Sequence, residues 1–467
     1  MDRTNTLSMR ILANMIIWMI GLIIPTSVFA QQTLHAGIWD GYIHIRTDSL
    51  KLVLVLSEEN GRTVAVLDSP DQYATDIPTD TFSQKQDTIF FSSKQTGISF
   101  KGLLLENGNI QGIFRQNGLK LNLTLSPTTE RKLFPRPQEP HAPYPYTEQE
   151  LTIPQKNSRF GIRGTLTLPA EDRKALIILI SGSGWQDRDE TIFEHRPFKL
   201  IADQLTRAGY IVFRYDDAPQ GEYAKMSTVD FSRQVETIIN YFRERDESIP
   251  IGLIGHSEGA LVAWMTAAQN PDISFIISLA GPACHLDQIL LYQNDVIYRS
   301  YGNGEEQIAK IHRLNEKIYN AVIKAKNPTQ ASEKTFLIIK KETAGMSDEE
   351  IVAAGLTQDK VSTICMQIGS NWFYTLMHLH AEDYLKKIQC PMLALNGSRD
   401  TQVEAAANLA LITQYTKKNP DVTTMELEQL NHLFQECETG LLEEYGLIEQ
   451  TMSPNVIQII IQWLENH

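Results

Sequence analysis

Short apolar runs separated by helical patterns are the feature that most constrains how this chain folds. Such runs are typical of strands buried on both faces of a parallel sheet. The clearest ones are residues 175–180, 251–254, 275–279 and 392–395. Between them, residues 197–208 and 228–244 carry apolar side chains at helical spacing, and Ser227 with Asp230 resembles a capping box. This alternation predicts an α/β domain with a mostly parallel, doubly wound sheet over residues 151–467.

The preceding part of the chain has a different period. Residues 31–125 alternate apolar and polar side chains in short runs that end at turn signals such as Asn107-Gly108. This pattern predicts a small antiparallel β sandwich or barrel domain with a structural or substrate-shaping role. Residues 126–150 contain six prolines. Because proline lacks a backbone donor and fixes φ, these residues predict an extended linker.

A long insertion interrupts the second domain. Residues 283–388 show helical patterns, for example at residues 307–324, and contain no clear strand. We expect a helical lid above the carboxyl edge of the sheet, over a pocket. An ordinary helical insertion that gates nothing is the alternative.

The N-terminus predicts export. Arg3 and Arg10 precede an apolar run at residues 11–25, and Val28 and Ala30 then form a V-x-A cleavage signal. This order is typical of a secretory signal peptide, here residues 1–30, and the run is shorter than the roughly 20 residues of a membrane span. We therefore expect a periplasmic or extracellular protein with no stable membrane association after cleavage. An N-terminal segment that stays uncleaved and anchors the protein is the alternative.

Charge and cysteine content limit the classes of function. The formal net charge of −14 argues against a nucleic-acid partner. The four cysteines allow three complete disulfide pairings and show no metal-ligand spacing, so we interpret them as structural or free. They are Cys284, Cys365, Cys390 and Cys437. His378 and His380 suggest a metal that nothing else in the sequence completes, so we expect neither a metal nor a cofactor.

One pentapeptide carries the chemistry. Residues 255–259, Gly-His-Ser-Glu-Gly, follow the strand predicted at residues 251–254 and precede a helical run from Ala260. A G-x-S-x-G pattern on a strand-to-helix turn exposes a strained serine, and its glycines let neighbouring segments approach closely. We therefore predict that Ser257 is a nucleophile.

A serine nucleophile needs a base that removes its proton and an acid that orients the base. On a wound parallel sheet these partners follow the serine in the order acid, histidine, each after a later strand. Asp400 follows the strand predicted at residues 392–395, and His432 follows an alternating strand at residues 422–427. We predict these two residues as acid and base. The rivals are Glu404 and Asp383 as the acid, and His378 and His380 as the base.

The oxyanion of such a reaction needs two preorganised donors. We predict the backbone N–H of Glu258 as one donor. The other is the N–H of Ser183, in the turn after the strand at residues 175–180, with Gly184 as the alternative. For the charged residues 187–190 that follow, mutual ion pairs that stiffen the turn are the favoured interpretation, and substrate binding is the alternative.

Several longer segments resemble, in the correct order, a bacterial group of two-domain α/β-hydrolases related to serine aminopeptidase-like hydrolases and secreted carboxylesterases. They are LDSPDQ at residues 67–72, SGSG at 181–184, QDRDE at 186–190, RYDD at 214–217, GHSEG at 255–259, LNG at 395–397 and LNHLF at 430–434. The resemblance covers nearly the whole chain after the predicted signal peptide. It implies the α/β-hydrolase fold and the triad Ser257, Asp400 and His432.

Two departures from that group concern the predicted pocket. The group usually has His-Gly-Ser-Gly-Pro at the oxyanion turn, whereas this chain has Ser181 first and Trp185 last. The Arg-Gly-x-Gly that usually follows Tyr-Asp-Asp is replaced by residues 218–221, Ala-Pro-Gln-Gly. We expect both changes at the rim of the pocket, where they would alter substrate preference.

These features predict a serine hydrolase that cleaves carboxylic esters of small or medium acyl groups through an acyl-enzyme on Ser257. The alternative is an exported peptidase or amidase that acts on short peptides with the same triad, which a cluster of acidic groups at the pocket floor would favour. The expected partner is a small-molecule ester or a short peptide. Export disfavours a thioesterase, and an intact triad disfavours a binding protein with a relic site.

Overall fold

The computed structural model describes residues 34–467 except 35, 46, 47, 60, 95, 117, 157, 172 and 354. The chain divides into two compact units, one with residues up to Asp68 and Asp76–Arg131, the other with Ser69–Thr75 and Lys132–His467. The predicted signal peptide, residues 1–30, lies outside the described residues. Within them, no helix has the length and apolarity needed to cross a membrane.

Residues 37–128 form one nine-stranded, largely antiparallel sheet, in the order β4-β3-β2-β1-β9-β8-β7-β6-β5. Its strands are β1 (Gly37–Ile45), β2 (Asp48–Glu59), β3 (Arg62–Ser69), β4 (Ala74–Pro78), β5 (Thr81–Lys85), β6 (Thr88–Ser93), β7 (Ile98–Leu104), β8 (Ile110–Gln116) and β9 (Leu119–Thr128). Trp39 and Leu54 share one core with Phe91, Phe100 and Phe114, so the sheet curls and encloses its own apolar face. This confirms the predicted all-β region as a single curled sheet.

The second unit contains an eight-stranded sheet in the order β10-β11-β13-β12-β14-β15-β16-β17. Its strands are β10 (Tyr146–Ile153), β11 (Ile162–Pro169), β12 (Leu176–Ile180), β13 (Ile211–Tyr215), β14 (Ile251–His256), β15 (Ile273–Leu279), β16 (Met392–Gly397) and β17 (Val422–Leu427). The pairs β10–β11 and β11–β13 are antiparallel, and the remaining pairs are parallel. The predicted α/β-hydrolase sheet is therefore confirmed.

Helices cover both faces of this sheet. In chain order they are α1 (Pro197–Arg207), α2 (Gln220–Tyr223), α3 (Thr228–Arg243), α4 (Glu258–Ala267), α5 (Leu286–Ser300), α6 (Glu305–Ile323), α7 (Pro328–Glu342), α8 (Asp348–Ala353), α9 (Gln358–Ile368), α10 (Asn371–Leu376), α11 (Glu382–Leu385), α12 (Ala405–Tyr415), α13 (Leu442–Tyr445) and α14 (Pro454–Leu464). Along β12, Ile177 and Leu179 join the core that α1 and α14 cover, whereas Leu176 and Ile178 join the core under α3, α4 and α12. This alternation explains why the strand is apolar throughout.

The insertion between β15 and β16 is entirely helical in its regular structure, from α5 to α11. It has a core of its own, to which Val322, Ala331, Ile339 and Phe373 contribute. The helices of the insertion are therefore a packed subdomain of the second unit.

The structure differs from the linker predicted at residues 126–150. Tyr146–Ile153 pairs with β11 along its full length, because an edge strand that begins after Pro145 loses no ladder hydrogen bond to proline. Before it, Arg136 donates hydrogen bonds to the backbone oxygens of Phe193 and Gly446, 2.8 and 2.9 Å away. The proline-rich residues are thus held against the second unit.

Candidate active site

Ser257 lies at the turn from β14 to α4 in a strained conformation. Its backbone φ of 53° and ψ of −123° are values that residues other than glycine rarely adopt. The neighbouring glycines explain how the turn closes: a Cβ on Gly255 would lie 2.1 Å from the oxygen of Gly259, and a Cβ on Gly259 would lie 2.1 Å from the oxygen of Ile180. The backbone N–H of Ser257 donates to the oxygen of Leu279 at 2.8 Å. The G-x-S-x-G pattern therefore forms a sharp strand-to-helix elbow.

Asp400 and His432 form a buried pair in the loops that follow β16 and β17. Their side chains are 0% and 5% exposed, and His432 Nδ1 lies 2.7 Å from Asp400 Oδ2. The other oxygen of Asp400 accepts the N–H groups of Gln402 and Val403 at 2.8 Å each. Since Nδ1–H donates to a carboxylate, the Nε2 atom of His432 is the one available to accept a proton.

No hydrogen bond among the described residues joins the hydroxyl of Ser257 to His432. In enzymes without substrate, such contacts are often long and tighten only in the complex. Two of the rivals, His378 and Asp383, have other surroundings. His378 bonds the backbone oxygens of Tyr374 and Ile323 inside the insertion, and the side chain of Asp383 is 61% exposed.

The carboxylate of Glu258 is buried beside Ser257 and receives hydrogen bonds from three neutral donors. Ser183 Oγ donates to Oε2 and Thr228 Oγ1 to Oε1, both at 2.7 Å. Trp372 Nε1 lies 3.0 Å from both oxygens. Desolvation raises the pKa of Glu258 above its usual range, although these three hydrogen bonds oppose that effect.

The backbone donors around the turn after β12 have different partners. The N–H of Gly182 donates to Glu190 Oε1 at 2.7 Å, and the N–H of Gly184 faces the hydroxyl of Tyr223. No described residue accepts a hydrogen bond from the N–H of Ser183 or of Glu258. The two predicted oxyanion donors are therefore free to bind another acceptor.

A cavity of about 80 Å³ opens beside Ser257. Its wall is largely apolar, and the insertion supplies much of it; the lining includes Leu261, Pro282, Leu286, Ile289, Leu376 and Val403. Cys284 also lines it, and burial raises the pKa of this thiol to about 11. None of the four cysteines, all of them in the described part of the chain, is in a disulfide.

The charged residues 187–190 do not pair with one another as expected. Arg188 pairs with Asp216 at 2.7 Å and with Glu150 at 2.6 Å, and Asp189 contacts Arg214. The prediction was wrong because sequence neighbours on a tight turn point toward different strands. Glu150 is on β10, Arg214 is on β13 and Asp216 directly follows β13, so the charges attach the turn to the sheet.

The two departures from the family pattern contact each other. Trp185 Nε1 donates to the backbone oxygen of Ala218 at 3.0 Å, and 47% of the Trp185 surface is exposed. Neither residue lines the cavity beside Ser257. Neither change therefore contributes to the wall of this cavity, and the expected effect on substrate preference stays a prediction.

Several residues of the site were missed by sequence reasoning. The sequence placed Glu258 only as a backbone donor, and it assigned no role to His256, Thr228 or Trp372. His256 stands inside the pentapeptide, so its position was a usable signal. No local pattern marks Trp372, because it reaches Glu258 only through the packing of the insertion. Within the described residues, no group of three or more side chains has the arrangement of a metal site.

A mostly parallel sheet with a strained serine at a strand-to-helix elbow, followed by an Asp–His pair after later strands, defines an α/β-hydrolase. Residues 194–437 match the family model described as serine aminopeptidase, S33. Because this match spans more than half of the 467 residues, the chain belongs to that family.

The chain is also similar to individual hydrolases. It is 23% identical over 327 residues to esterase EstD of Thermotoga maritima. The aligned residues cover 69% of this chain and 68% of that protein. Among solved structures, the Pyrococcus furiosus esterase Pf2001 has 15% identity and a TM-score of 0.42, with 72% of this chain and 98% of that chain covered. A thermostable carboxyl esterase of Bacillus coagulans has 12% identity and a TM-score of 0.42, with 68% and 98% covered.

Proposed function

We propose that this protein hydrolyses carboxylic esters of small or medium acyl groups through an acyl-enzyme on Ser257. The observation that carries the proposal is the strained Ser257 beside a small apolar cavity, with the buried pair Asp400–His432 at the same edge of the sheet. The similarity to esterase EstD supports an ester as the substrate.

The first half of the reaction forms the acyl-enzyme. His432 Nε2 takes the proton of the Ser257 hydroxyl while Oγ bonds to the ester carbonyl carbon. Asp400 holds Nδ1–H and stabilises the imidazolium that forms. The N–H groups of Ser183 and Glu258 donate to the oxyanion. The tetrahedral intermediate then expels the alcohol, which takes its proton from His432.

The second half reverses these roles with water. His432 removes a proton from a water molecule as the water oxygen attacks the acyl carbon. The same two backbone donors stabilise the second oxyanion. Collapse of this intermediate breaks the bond to Ser257 Oγ, which recovers its proton from His432, and the carboxylic acid leaves.

The cavity indicates the size of the acyl group. Its volume of about 80 Å³ and its apolar wall suit a short aliphatic chain. Ile289 and Leu376 close it from the side of the insertion. The acyl chain therefore lies between the elbow and helices α5 and α10.

A short-peptide hydrolase is the second candidate, because the family match carries an aminopeptidase description and Glu258 places a carboxylate at the cavity. A substrate ammonium group would need a free carboxylate oxygen. Each oxygen of Glu258 already accepts two hydrogen bonds, from Trp372 and from a hydroxyl. The hydrogen bonding of Glu258 thus favours the ester.

The test compares p-nitrophenyl esters of increasing acyl length with aminoacyl-nitroanilides, for the wild type and Ser257→Ala. We expect ester hydrolysis by the wild type, strongest for short acyl chains, and none above background for the variant. A phosphonate inhibitor should label the wild type and not Ser257→Ala. Hydrolysis that survives in Ser257→Ala would contradict the mechanism, and anilide cleavage without ester cleavage would favour the peptidase.

A further inference from the structure

A second histidine–carboxylate pair lies behind the proposed triad. Glu190 and His256 are both buried, with 3% and 7% of their surfaces exposed. Glu190 Oε1 lies 3.0 Å from His256 Nδ1 and also accepts the N–H of Gly182 at 2.7 Å. His256 Nε2 lies 2.9 Å from the backbone oxygen of His432. One chain of hydrogen bonds therefore connects the turn after β12, the end of β14 and the loop of His432.

The partners of His256 determine its protonation. A carboxylate and a backbone carbonyl only accept hydrogen bonds, so both ring nitrogens of His256 must donate. An imidazole that donates from both nitrogens is a cation. Desolvation opposes this charge, but the charge and hydrogen bond of Glu190, the carbonyl of His432 and the charge of Asp400 outweigh it, and the pKa of His256 lies above its ordinary value of 6.5.

The surroundings of the pair are mostly apolar. The adjacent cavity of about 10 Å³ has room for roughly one water molecule, and its other lining residues include Phe198, Leu279, Leu433 and Met452. The titratable groups that face the pair are Asp400, His432 and Asp217, the last through its interaction with Glu190. A buried cation in such a place requires its carboxylate partner, because an unpaired charge would be costly.

We propose that Glu190 and His256 form a buried carboxylate–imidazolium pair that positions the oxyanion turn and the loop of His432 relative to Ser257. Neither residue lines the cavity beside Ser257, so both act through their neighbours. Glu190 holds the turn through Gly182, one residue before the proposed donor Ser183. His256 holds the backbone of His432 itself, and the two rings are 4.8 Å apart. The inference rests on the proposed function, because it assigns the pair a part in hydrolysis by Ser257.

Nuclear magnetic resonance tests the charge of His256 without any measurement of activity. We expect the full chain labelled with ¹⁵N-histidine to show two ring N–H protons for His256 at pH 7, assigned by their loss in His256→Gln. His195 is the internal control, since it is fully buried between the Thr451 hydroxyl and the Tyr445 carbonyl. Burial lowers the pKa of His195 to about 4, so it should carry one ring proton. A neutral His256 would overturn the proposal.

Kinetics test the positioning role. In Glu190→Gln and His256→Gln we expect kcat for p-nitrophenyl acetate to fall on the order of 10²-fold, the cost of a displacement of roughly 1 Å, with KM little changed. The control is His312→Gln, which removes another histidine–carboxylate pair, with Asp295 at 2.9 Å, inside the insertion. This control should keep the wild-type kcat.

The pH profile separates positioning by a charged pair from a structural defect. His256→Gln leaves the negative charge of Glu190 near His432, so the acid limb of kcat/KM should move to higher pH. Glu190→Gln removes that charge and the need for the cation, so its acid limb should stay near that of the wild type. Wild-type kcat in both variants, or equal acid limbs, would overturn the proposal.

If His256→Gln fails to fold, the near-isosteric Glu190→Gln and the ring-proton spectrum of the wild type decide, with His256 signals assigned by elimination. Hydrolysis that persists in Ser257→Ala would refute the proposed function alone and leave the ring-proton result standing.

Discussion

The side chains of Ser183 and Glu258 bond each other at 2.7 Å, and the backbone N–H groups of the same two residues are the proposed oxyanion donors. The turn after β12 and the elbow after β14 are thus joined where their backbones must act together. Because oxyanion stabilisation depends on donors that are already in place before the reaction, this side-chain bond is a means of fixing the distance between them.

Removal of this bond should lower kcat. We expect Ser183→Ala and Glu258→Ala each to reduce kcat for a short ester by roughly 10-fold, less than the 10²–10³-fold cost of a whole donor, because both backbone N–H groups remain. The kcat of the double variant should be no lower than that of the less active single variant, since both substitutions remove the same contact. Ser300→Ala, which removes an exposed hydroxyl on α5, is the control. Additive losses in the double variant would refute the coupling.

The proposed acid, Asp400, can be tested against the rival Glu404. We expect Asp400→Asn to lower kcat by about 10⁴-fold, because an amide at this position no longer stabilises the imidazolium and favours the wrong tautomer of His432. Glu404→Gln, just before α12, should keep most of the activity. The measurement is the steady-state rate on p-nitrophenyl acetate. A large loss in Glu404→Gln with activity retained in Asp400→Asn would reverse the assignment.

Acyl-chain preference should respond to the wall of the cavity. Ile289→Ala enlarges the cavity beside Ser257, so we expect the ratio of kcat/KM for hexanoate over acetate esters to rise about 10-fold, in the range that a methylene is worth in an apolar pocket. Ile339→Ala is the matched control, because Ile339 is equally apolar, 2% exposed, and lies in the core of the insertion away from this cavity. An unchanged ratio in Ile289→Ala would place the acyl chain elsewhere.

Asp217 should make the protein less stable as the pH rises. Desolvation raises the pKa of Asp217 to about 7 from an ordinary 3.8, although the N–H of Gln186 opposes the shift. Between these pH values the folded chain binds a proton that the unfolded chain does not, so the free energy of unfolding falls as the pH rises. Asp217→Asn removes this cost. We expect it to stabilise the protein by a few kcal/mol at pH 8 in urea unfolding, and by much less at pH 5.

The neighbouring Asp216 is a control of opposite sign. Desolvation raises the pKa of Asp216, but the hydrogen bonds and charge of Arg188 outweigh it, and the pKa lies below its usual range. The stability that this pair contributes is present above the unfolded pKa and lost as the pH falls through the folded pKa. Asp216→Asn should therefore destabilise the protein at pH 8. The interpretation of Asp217 fails if both variants change stability in the same direction.

Local patterns were sufficient to predict the sheet, the turn at Ser257 and the order of Asp400 and His432 after the later strands. A strand such as β12, which is apolar on both faces, is typical of the centre of a sheet. The G-x-S-x-G pattern at the end of β14 is typical of a strand-to-helix elbow. The strands β10 and β11 escaped prediction. β10 is a polar edge strand that begins inside a proline-rich stretch, and β11 mixes Arg163 and two threonines with its apolar residues.

The contacts around the triad were less predictable. Trp372 reaches Glu258 across 114 residues of sequence, and Arg188 reaches Glu150 across 38. Glu190 points toward His256 because its backbone has a φ of 53°, which no rule for glutamate anticipates. Such contacts depend on how separate elements pack, and a single sequence contains no local signal for that packing.

Helix α5 carries a further consequence for the insertion as a whole. Tyr292 donates to the backbone oxygen of Asp400 at 3.1 Å, and Gln293 donates to the oxygen of Gln402 at 2.9 Å. The insertion therefore braces the loop of the proposed acid in addition to walling the cavity. A replacement of the whole insertion from α5 onward would therefore change two things together: the wall of the cavity, and the hydrogen bonds that hold the loop of Asp400. An exchange that begins after Ser300 and also keeps α10 would replace the other helices of the insertion. It would retain the hydrogen bonds of α5 to the Asp400 loop and of Trp372 to Glu258.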